Sequence, residues 1–221
     1  MQNVFSICTR FPGKREKLMN KQNSTVMKLA ETALLAALCY VSFTFLQIKI
    51  PVPGGDATSL HIGNTFCVLG ALLLGGWYGG LAGSIGMTIA DLMDPVYITG
   101  APKTFVLKLC IGLITGLVAH KIAKINETND KKYVFKWSLI ASIAGLAFNV
   151  IADPIVGYFY KQYILGQPQE VAGILAKLSA GATFVNAIVS TILVVIIYNA
   201  VRPALIKANL IHVYVTAANA K

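Results

Sequence analysis

Apolar residues along the chain fall into six runs separated by short polar or proline- and glycine-bearing segments. A helix rises about 1.5 Å per residue and the apolar core of a bilayer is about 30 Å thick, so runs of this kind predict membrane-spanning helices. The pattern predicts an all-α integral membrane protein, a six-helix transmembrane bundle whose spans are Leu29–Leu46, Leu60–Gly75, Gly79–Leu92, Thr104–Ile122, Trp137–Tyr160 and Leu178–Val201.

The second and third spans form one neutral stretch. No Asp, Glu, Lys or Arg lies between Asp56 and Asp91. A single helix of that length would reach about 50 Å, too long for one crossing, and the segment Gly75–Gly80 carries four glycines that favour a reversal. The predicted pair of helices is followed by a polar cluster of Asp91, Asp94, Tyr97, Lys103 and Lys108.

Basic residues orient the bundle. The N-terminal tail, the Lys121–Lys136 link and the C-terminal end together hold fourteen of the nineteen lysines and arginines. By the positive-inside rule, both termini are predicted to be cytoplasmic. The segments Gln47–Ser59, Met93–Lys103 and Lys161–Lys177 are then outer loops. The predicted organisation is a basic, mobile tail over 1–26, a transmembrane domain over 27–203 and a cytoplasmic tail over 204–221.

Composition excludes several classes of function. The chain is 56% apolar and only 13% charged, which is typical of a membrane protein. A net charge of +10 does not indicate nucleic-acid binding, because the basic residues cluster between apolar runs. No P-loop pattern, Cys-x-x-Cys pair or histidine cluster occurs, so the sequence predicts no ATPase, no metal, no cofactor and no catalytic set.

Polar residues inside or beside the apolar runs are the candidate site. An ionisable group in a membrane helix costs about 2.5–3.5 kcal/mol on insertion scales and therefore needs a reason. Asn149 and Asp153 are four residues apart and share a helix face. The candidate substrate-binding residues are Asn64, Asp91, Tyr97, Lys103, Asn149, Asp153 and Asn186. Hydrogen bonding between helices and anchoring of loops by salt bridges are the structural alternatives.

Several motifs resemble a known family. The sequence is similar, over about 27–203, to the substrate-binding S components of energy-coupling factor (ECF) vitamin transporters. The resemblance rests on Ala33-x-x-x-Ala37, Leu60-His61-Ile62-Gly63-Asn64, Gly75-Gly76-Trp77-Tyr78-Gly79-Gly80, Asp91-Leu92 and Pro102-Lys103-Thr104.

The resemblance implies a vitamin-binding subunit in a bacterial plasma membrane. Its partners would be a transmembrane coupling protein and two ATPases, docked on the face of span one that carries Ala33 and Ala37. The carrier would topple in the bilayer to carry an occupied outer pocket inwards. Among vitamins, the overall pattern favours cobalamin, followed by pantothenate or a pyrimidine-type precursor.

Three other functions fit parts of the pattern. A stand-alone secondary transporter would use Asp91 and Asp153 as titrating groups in ion coupling. A membrane scaffold would bind no small molecule tightly. An intramembrane enzyme is the weakest alternative, because no catalytic residues are recognisable.

Overall fold

Six helices and one β-hairpin make up the protein in the computed structural model, which describes residues 14–52 and 56–208. The elements are α1 (Lys14–Phe45), β1 (Gln47–Val52), β2 (Asp56–His61), α2 (Gly63–Leu74), α3 (Gly76–Met93), α4 (Ala101–Gly116), α5 (Lys131–Phe159) and α6 (Gln169–Lys207). Short π-helical segments prolong α4 over Leu117–Ile122 and α5 over Tyr160–Ile164.

The helices confirm an all-α membrane protein, while the number of spans is confirmed only in part. Within the described residues, four helical stretches are long and apolar enough to cross a bilayer: Thr25–Phe45, Ile98–Glu127, Lys131–Ile164 and Gln169–Lys207. The helix α2 has 12 residues, which is about 18 Å and less than an apolar core. The cytoplasmic location of both termini stays a prediction.

The predicted reversal over Gly75–Gly80 is wrong in its length, because the observed turn is shorter. Only Gly75, with φ of 95°, leaves the helical conformation, and α3 begins at Gly76. The other glycines serve close packing instead. A Cβ on Gly79 would meet the backbone nitrogen of Ala71 at 2.0 Å, so α2 and α3 pack with their backbones in contact.

The pair α3 and α4 is packed just as closely. A Cβ on Gly112 would lie 2.2 Å from Cα of Gly80, and one on Gly80 would lie 2.9 Å from the carbonyl oxygen of Leu109. Small residues at such positions let membrane helices approach and gain van der Waals contact. The buried core around them includes Cys67, Met87 and Ile111.

The connection Gln47–Ser59, predicted as irregular, forms an antiparallel hairpin. Its register pairs Gln47 with His61 and Val52 with Asp56. Pro51 lies within β1, where a proline is tolerated because each strand of a two-stranded sheet is an edge strand. The hairpin contacts α6 through β2, so it lies over one end of the helix bundle.

Two other predicted boundaries change. The helix α1 begins at Lys14, so the predicted mobile tail over 1–26 is helical from that residue onwards. The helix α6 begins at Gln169, so much of the predicted outer loop Lys161–Lys177 is helical. The first 13 residues and residues 209–221 of the predicted tails lie outside the described part.

Candidate functional site

A cavity opens at the end of the bundle that the hairpin covers. All seven residues predicted from sequence line it. Its wall is built by α1, the hairpin and α2 to α6. The lining includes, besides the seven, Phe43, Ser59, His61, Thr104, Leu107, Lys108, Pro154, Tyr160, Lys161, Ser179 and Thr183.

Lys103 and Asp153 form an ion pair across the cavity wall. The Nζ of Lys103 lies 2.9 Å from Oδ1 of Asp153, and each side chain is about one-sixth exposed. The second carboxylate oxygen accepts hydrogen bonds from the hydroxyls of Ser179 and Thr183. Both oxygens of Asp153 are therefore used within the protein, and this network joins α4, α5 and α6.

Asn186 holds the hairpin with both ends of its side-chain amide. Its Oδ1 accepts a hydrogen bond from the backbone N–H of His61 at 3.0 Å, and its Nδ2 donates to the carbonyl oxygen of Ser59 at 3.0 Å. The ring of His61 supports the same turn, since its Nδ1 accepts from the backbone N–H of Gly63 at 3.2 Å. Asn186 thus fixes β2 against α6.

Tyr97 closes the rim from the segment between α3 and α4. Its ring meets Phe43 edge to face with centroids 5.9 Å apart, and the Nζ of Lys49 lies 5.5 Å from its centroid. Lys49, on β1, also pairs with the carboxylate of Asp94. The hairpin is therefore tied to this segment as well as to α6.

These contacts lower the pKa of the Asp94 carboxyl group. Partial burial raises the pKa of Asp94, but hydrogen bonds from Lys49 and from the backbone N–H of Val96, together with the charge of Lys49, outweigh it. The pKa therefore lies below its ordinary value, and the pair with Lys49 stays ionic at neutral pH.

Asn64 and Asn149 carry polar atoms without a partner. Both residues are only 1% exposed, and the Oδ1 atom of each accepts no hydrogen bond from the protein. An unsatisfied buried acceptor costs about 1–3 kcal/mol. Because both residues line the cavity, a ligand that donates hydrogen bonds would remove that cost.

Lys108 is a lining residue outside the seven predicted ones, although it belongs to the polar cluster after span three. It is 7% exposed and lines the cavity, and no carboxylate of the described residues lies within 4 Å of its ammonium group. Asp91 is 3% exposed and has Thr104, Lys108 and Lys103 as its electrostatic neighbours. With the pair of Lys103 and Asp153, Lys108 and Asp91 make a set of two lysines and two aspartates in the cavity lining, whose formal charges cancel.

Four tyrosines near this end of the bundle separate into two groups. Tyr97 and Tyr160 line the cavity, and the hydroxyl of Tyr160 donates to the carbonyl oxygen of Thr99 at 2.8 Å. Tyr158 and Tyr163 do not line the cavity; their rings contact Phe159. In the described part of the chain, no three His, Cys, Asp or Glu residues lie together as metal ligands would.

The predicted coupling face lies on the outer side of α1. Ala33 and Ala37 are exposed, whereas the opposite side of the helix is packed against α3. A Cβ on Gly86 of α3 would lie 2.2 Å from the carbonyl oxygen of Ala36. The alanines are thus available to a partner helix in the bilayer.

Comparison with known proteins supports one family. The model of the family "ECF-type riboflavin transporter, S component" matches residues 23–203. Neither a curated protein nor a solved structure matches the chain significantly. The match covers most of the chain and confirms the resemblance seen in the sequence, which implies an ECF coupling module as partner and a vitamin as substrate. The chain belongs to the family of ECF-type riboflavin transporter S components, and it is a multi-pass membrane subunit for transport and not an enzyme.

Proposed function

We propose that the protein captures riboflavin in the cavity beneath the hairpin and delivers it across a bacterial plasma membrane. The proposal rests on the family description, which names riboflavin, and on the groups that the cavity leaves without partners. Cobalamin, which the sequence pattern favoured, gains no support from that description. Pantothenate or another small vitamin in the same role is the alternative.

The observation that carries the proposal is the set of free polar groups around the cavity. Asn64 and Asn149 offer carbonyl oxygens that need donors, and Lys108, which also lines the cavity, offers an ammonium group as a donor. The pyrimidine-dione edge of riboflavin has an N–H group between two carbonyl groups. Such an edge supplies both kinds of partner at once, and the amide groups of asparagine can match it.

Four charged residues of the cavity are balanced, which suits a neutral substrate. Lys103, Lys108, Asp91 and Asp153 cancel formally, and Lys161, which also lines the cavity, is the one further lysine among the lining residues. Apolar and aromatic side chains beside them, such as Phe43 and Leu107, suit a flat ring system. Riboflavin combines an apolar ring face with one polar edge and a hydroxylated chain.

Transport driven by ATP needs partners, because the sequence contains no P-loop. We propose that a transmembrane coupling protein with two ATPases docks on the α1 face around Ala33 and Ala37. The energy of ATP hydrolysis then returns the carrier after it has toppled and released the vitamin inside. The hairpin, held by Asn186 and Lys49, acts as the cover of the cavity.

Fluorescence titration tests the substrate. Riboflavin loses fluorescence when its ring stacks in a protein, so the purified chain in detergent should quench it with a sub-micromolar Kd. Cobalamin and pantothenate serve as competitors and should not displace it. Tight binding of either competitor, with none of riboflavin, would reject riboflavin as the substrate.

Liposomes test the mode of transport. Vesicles that contain only this chain should not accumulate vitamin under an imposed proton or sodium gradient, whereas vesicles that also contain the coupling module and ATP should. Gradient-driven uptake by the chain alone would favour the stand-alone secondary transporter instead.

A further inference from the structure

The first two turns of α5 carry an unusual concentration of positive charge. Lys131, Lys132 and Lys136 are all exposed, and none has a carboxylate within 4 Å among the described residues. The nearby Lys124 differs, because it pairs with Glu127 at 3.4 Å. The three lysines of α5 therefore keep their charge uncompensated by ion pairing.

Their placement is unfavourable for the helix itself. The N-terminal end of a helix carries a partial positive charge, so cations there are destabilising. Lys132 and Lys136 are also four residues apart, where like charges repel. Asp130 offsets this only in part, since its Oδ1 caps the helix by accepting from the backbone N–H of Lys132 at 2.9 Å. Residues that break local rules in this way commonly serve a function.

Aromatic and apolar side chains adjoin the lysines. The rings of Tyr133 and Trp137 lie 6.1 Å apart, and the hydroxyl of Tyr133 is anchored by donating to the carbonyl oxygen of Ala123 at 3.0 Å. Phe135 is half exposed, and further along α5 Ile143 is exposed as well. Tyrosine and tryptophan favour the level of lipid headgroups, where one end of the ring is wet and the other apolar.

The stretch that could cross a bilayer starts at Lys131. In a bilayer, the aromatic pair would set these first turns at the level of the headgroups, with exposed isoleucines such as Ile143 toward the acyl chains. We propose that Lys131, Lys132 and Lys136, with the aromatic pair beside them, form a docking surface for the headgroups of anionic phospholipids. This function goes beyond vitamin capture and does not depend on the identity of the vitamin.

The charge and the position of this surface together select the occupant. Each lysine near an anionic membrane surface contributes about 1 kcal/mol, which is about a fivefold preference. A phosphate diester at this level would offset the repulsion between Lys132 and Lys136 and the unfavourable interaction with the helix dipole. The surface lies at the opposite end of α5 from the cavity residue Asp153, so lipid and vitamin occupy separate regions.

Native mass spectrometry of the full chain with equimolar phosphatidylglycerol and phosphatidylcholine tests the proposal. The wild-type chain should retain phosphatidylglycerol preferentially. K132Q/K136Q should reduce that preference at least fivefold, while the matched variant K121Q/K124Q, which removes the same charge from the adjacent link, should retain most of it. Circular dichroism and thermal unfolding in detergent establish that each variant is folded.

Three results would overturn the proposal. One is equal retention of the two lipids by the wild-type chain, and another is an equal loss of preference in both double variants. The third is an unchanged lipid preference in K132Q/K136Q together with impaired assembly with the coupling module, which would assign the lysines to an acidic protein partner.

Discussion

The side-chain amide of Asn186 is hydrogen-bonded to the backbone of Ser59, which lies 127 residues earlier in the sequence. With the second bond to His61, it ties β2 to α6 over the mouth of the cavity. A cavity residue can therefore act by positioning the cover and not by touching the substrate. This distinguishes Asn186 from Asn149, whose amide oxygen is free.

Replacement of Asn186 tests that role. Asn186→Leu should speed hydrogen exchange of the β2 amides about tenfold in the vitamin-free protein, because two hydrogen bonds worth about 0.5–1.5 kcal/mol each are lost. Asn199→Leu is the matched control, since Asn199 lies on the same helix and donates to Ser138 and Val195 instead. Unchanged exchange of β2 would show that Asn186 does not hold the hairpin.

Asn149 is expected to contact the vitamin directly. Asn149→Leu should weaken riboflavin binding about tenfold, because a hydrogen bond to the ligand is removed, and should leave assembly with the coupling module intact. Fluorescence titration and co-purification measure the two properties. Ser142→Ala on the same helix is the control, since its hydroxyl donates to the Ser138 carbonyl and Ser142 is not among the lining residues of the cavity. Unaltered affinity of the leucine variant would remove Asn149 from the binding site.

The effects of replacing Lys103 and Asp153 on the free energy of unfolding should not be additive, because the two residues form an ion pair. Lys103→Met leaves a carboxylate at a mostly buried position, which should lower the free energy of unfolding by about 2 kcal/mol or more. The double variant K103M/D153N should lose less than the sum of the single losses, since neither charge then stands alone. Thermal unfolding in detergent measures this, and strict additivity would show that the pair contributes nothing.

The ion pair of Lys49 and Asp94 should make the attachment of the β-hairpin over the cavity dependent on pH. The pKa of Asp94 is lowered from its ordinary value of 3.8, so its stabilising contribution is complete above about pH 5 and is lost as the pH falls below that value. Release of bound riboflavin should therefore accelerate below about pH 4. The variant Lys49→Met should release it faster at neutral pH and show a smaller acceleration in acid; identical profiles would contradict the role of the pair.

The α1 face is tested by a bulky side chain. Ala33→Trp should abolish uptake in liposomes with the coupling module, because the indole prevents close approach of a partner helix, while riboflavin affinity stays unchanged. Leu34→Trp is the matched control, since Leu34 is exposed on an adjacent face. Full uptake by Ala33→Trp would place the docking surface elsewhere.

The cavity could be located from sequence because polar residues are conspicuous within apolar runs. Burying Asn64, Asn149 or Asp153 in a membrane helix costs free energy, and the bundle lowers that cost by bringing such residues together. All seven candidates do line one cavity, so the physical argument identified the region. Whether each of them contacts a substrate stays a prediction.

The division of labour among those residues could not be predicted. Asn186 and Asn149 are both asparagines within apolar runs. They differ because the β-hairpin places backbone groups of β2 against Asn186, and this placement could not be predicted from sequence. Lys108 was overlooked for a related reason. The helix α4 begins at Ala101, earlier than expected, so Lys108 lies two turns inside the helix and is buried.

The backbone contact between α3 and α4 restricts how the carrier can move. With Gly80 and Gly112 so close that no side-chain carbon fits between them, these helices cannot slide or separate without losing their packing. The helices α3 and α4 must therefore move together as a rigid body. Loading of the cavity then has to involve elements outside this pair, such as the hairpin, and the proposed crossing of the lipid would turn the pair as one unit.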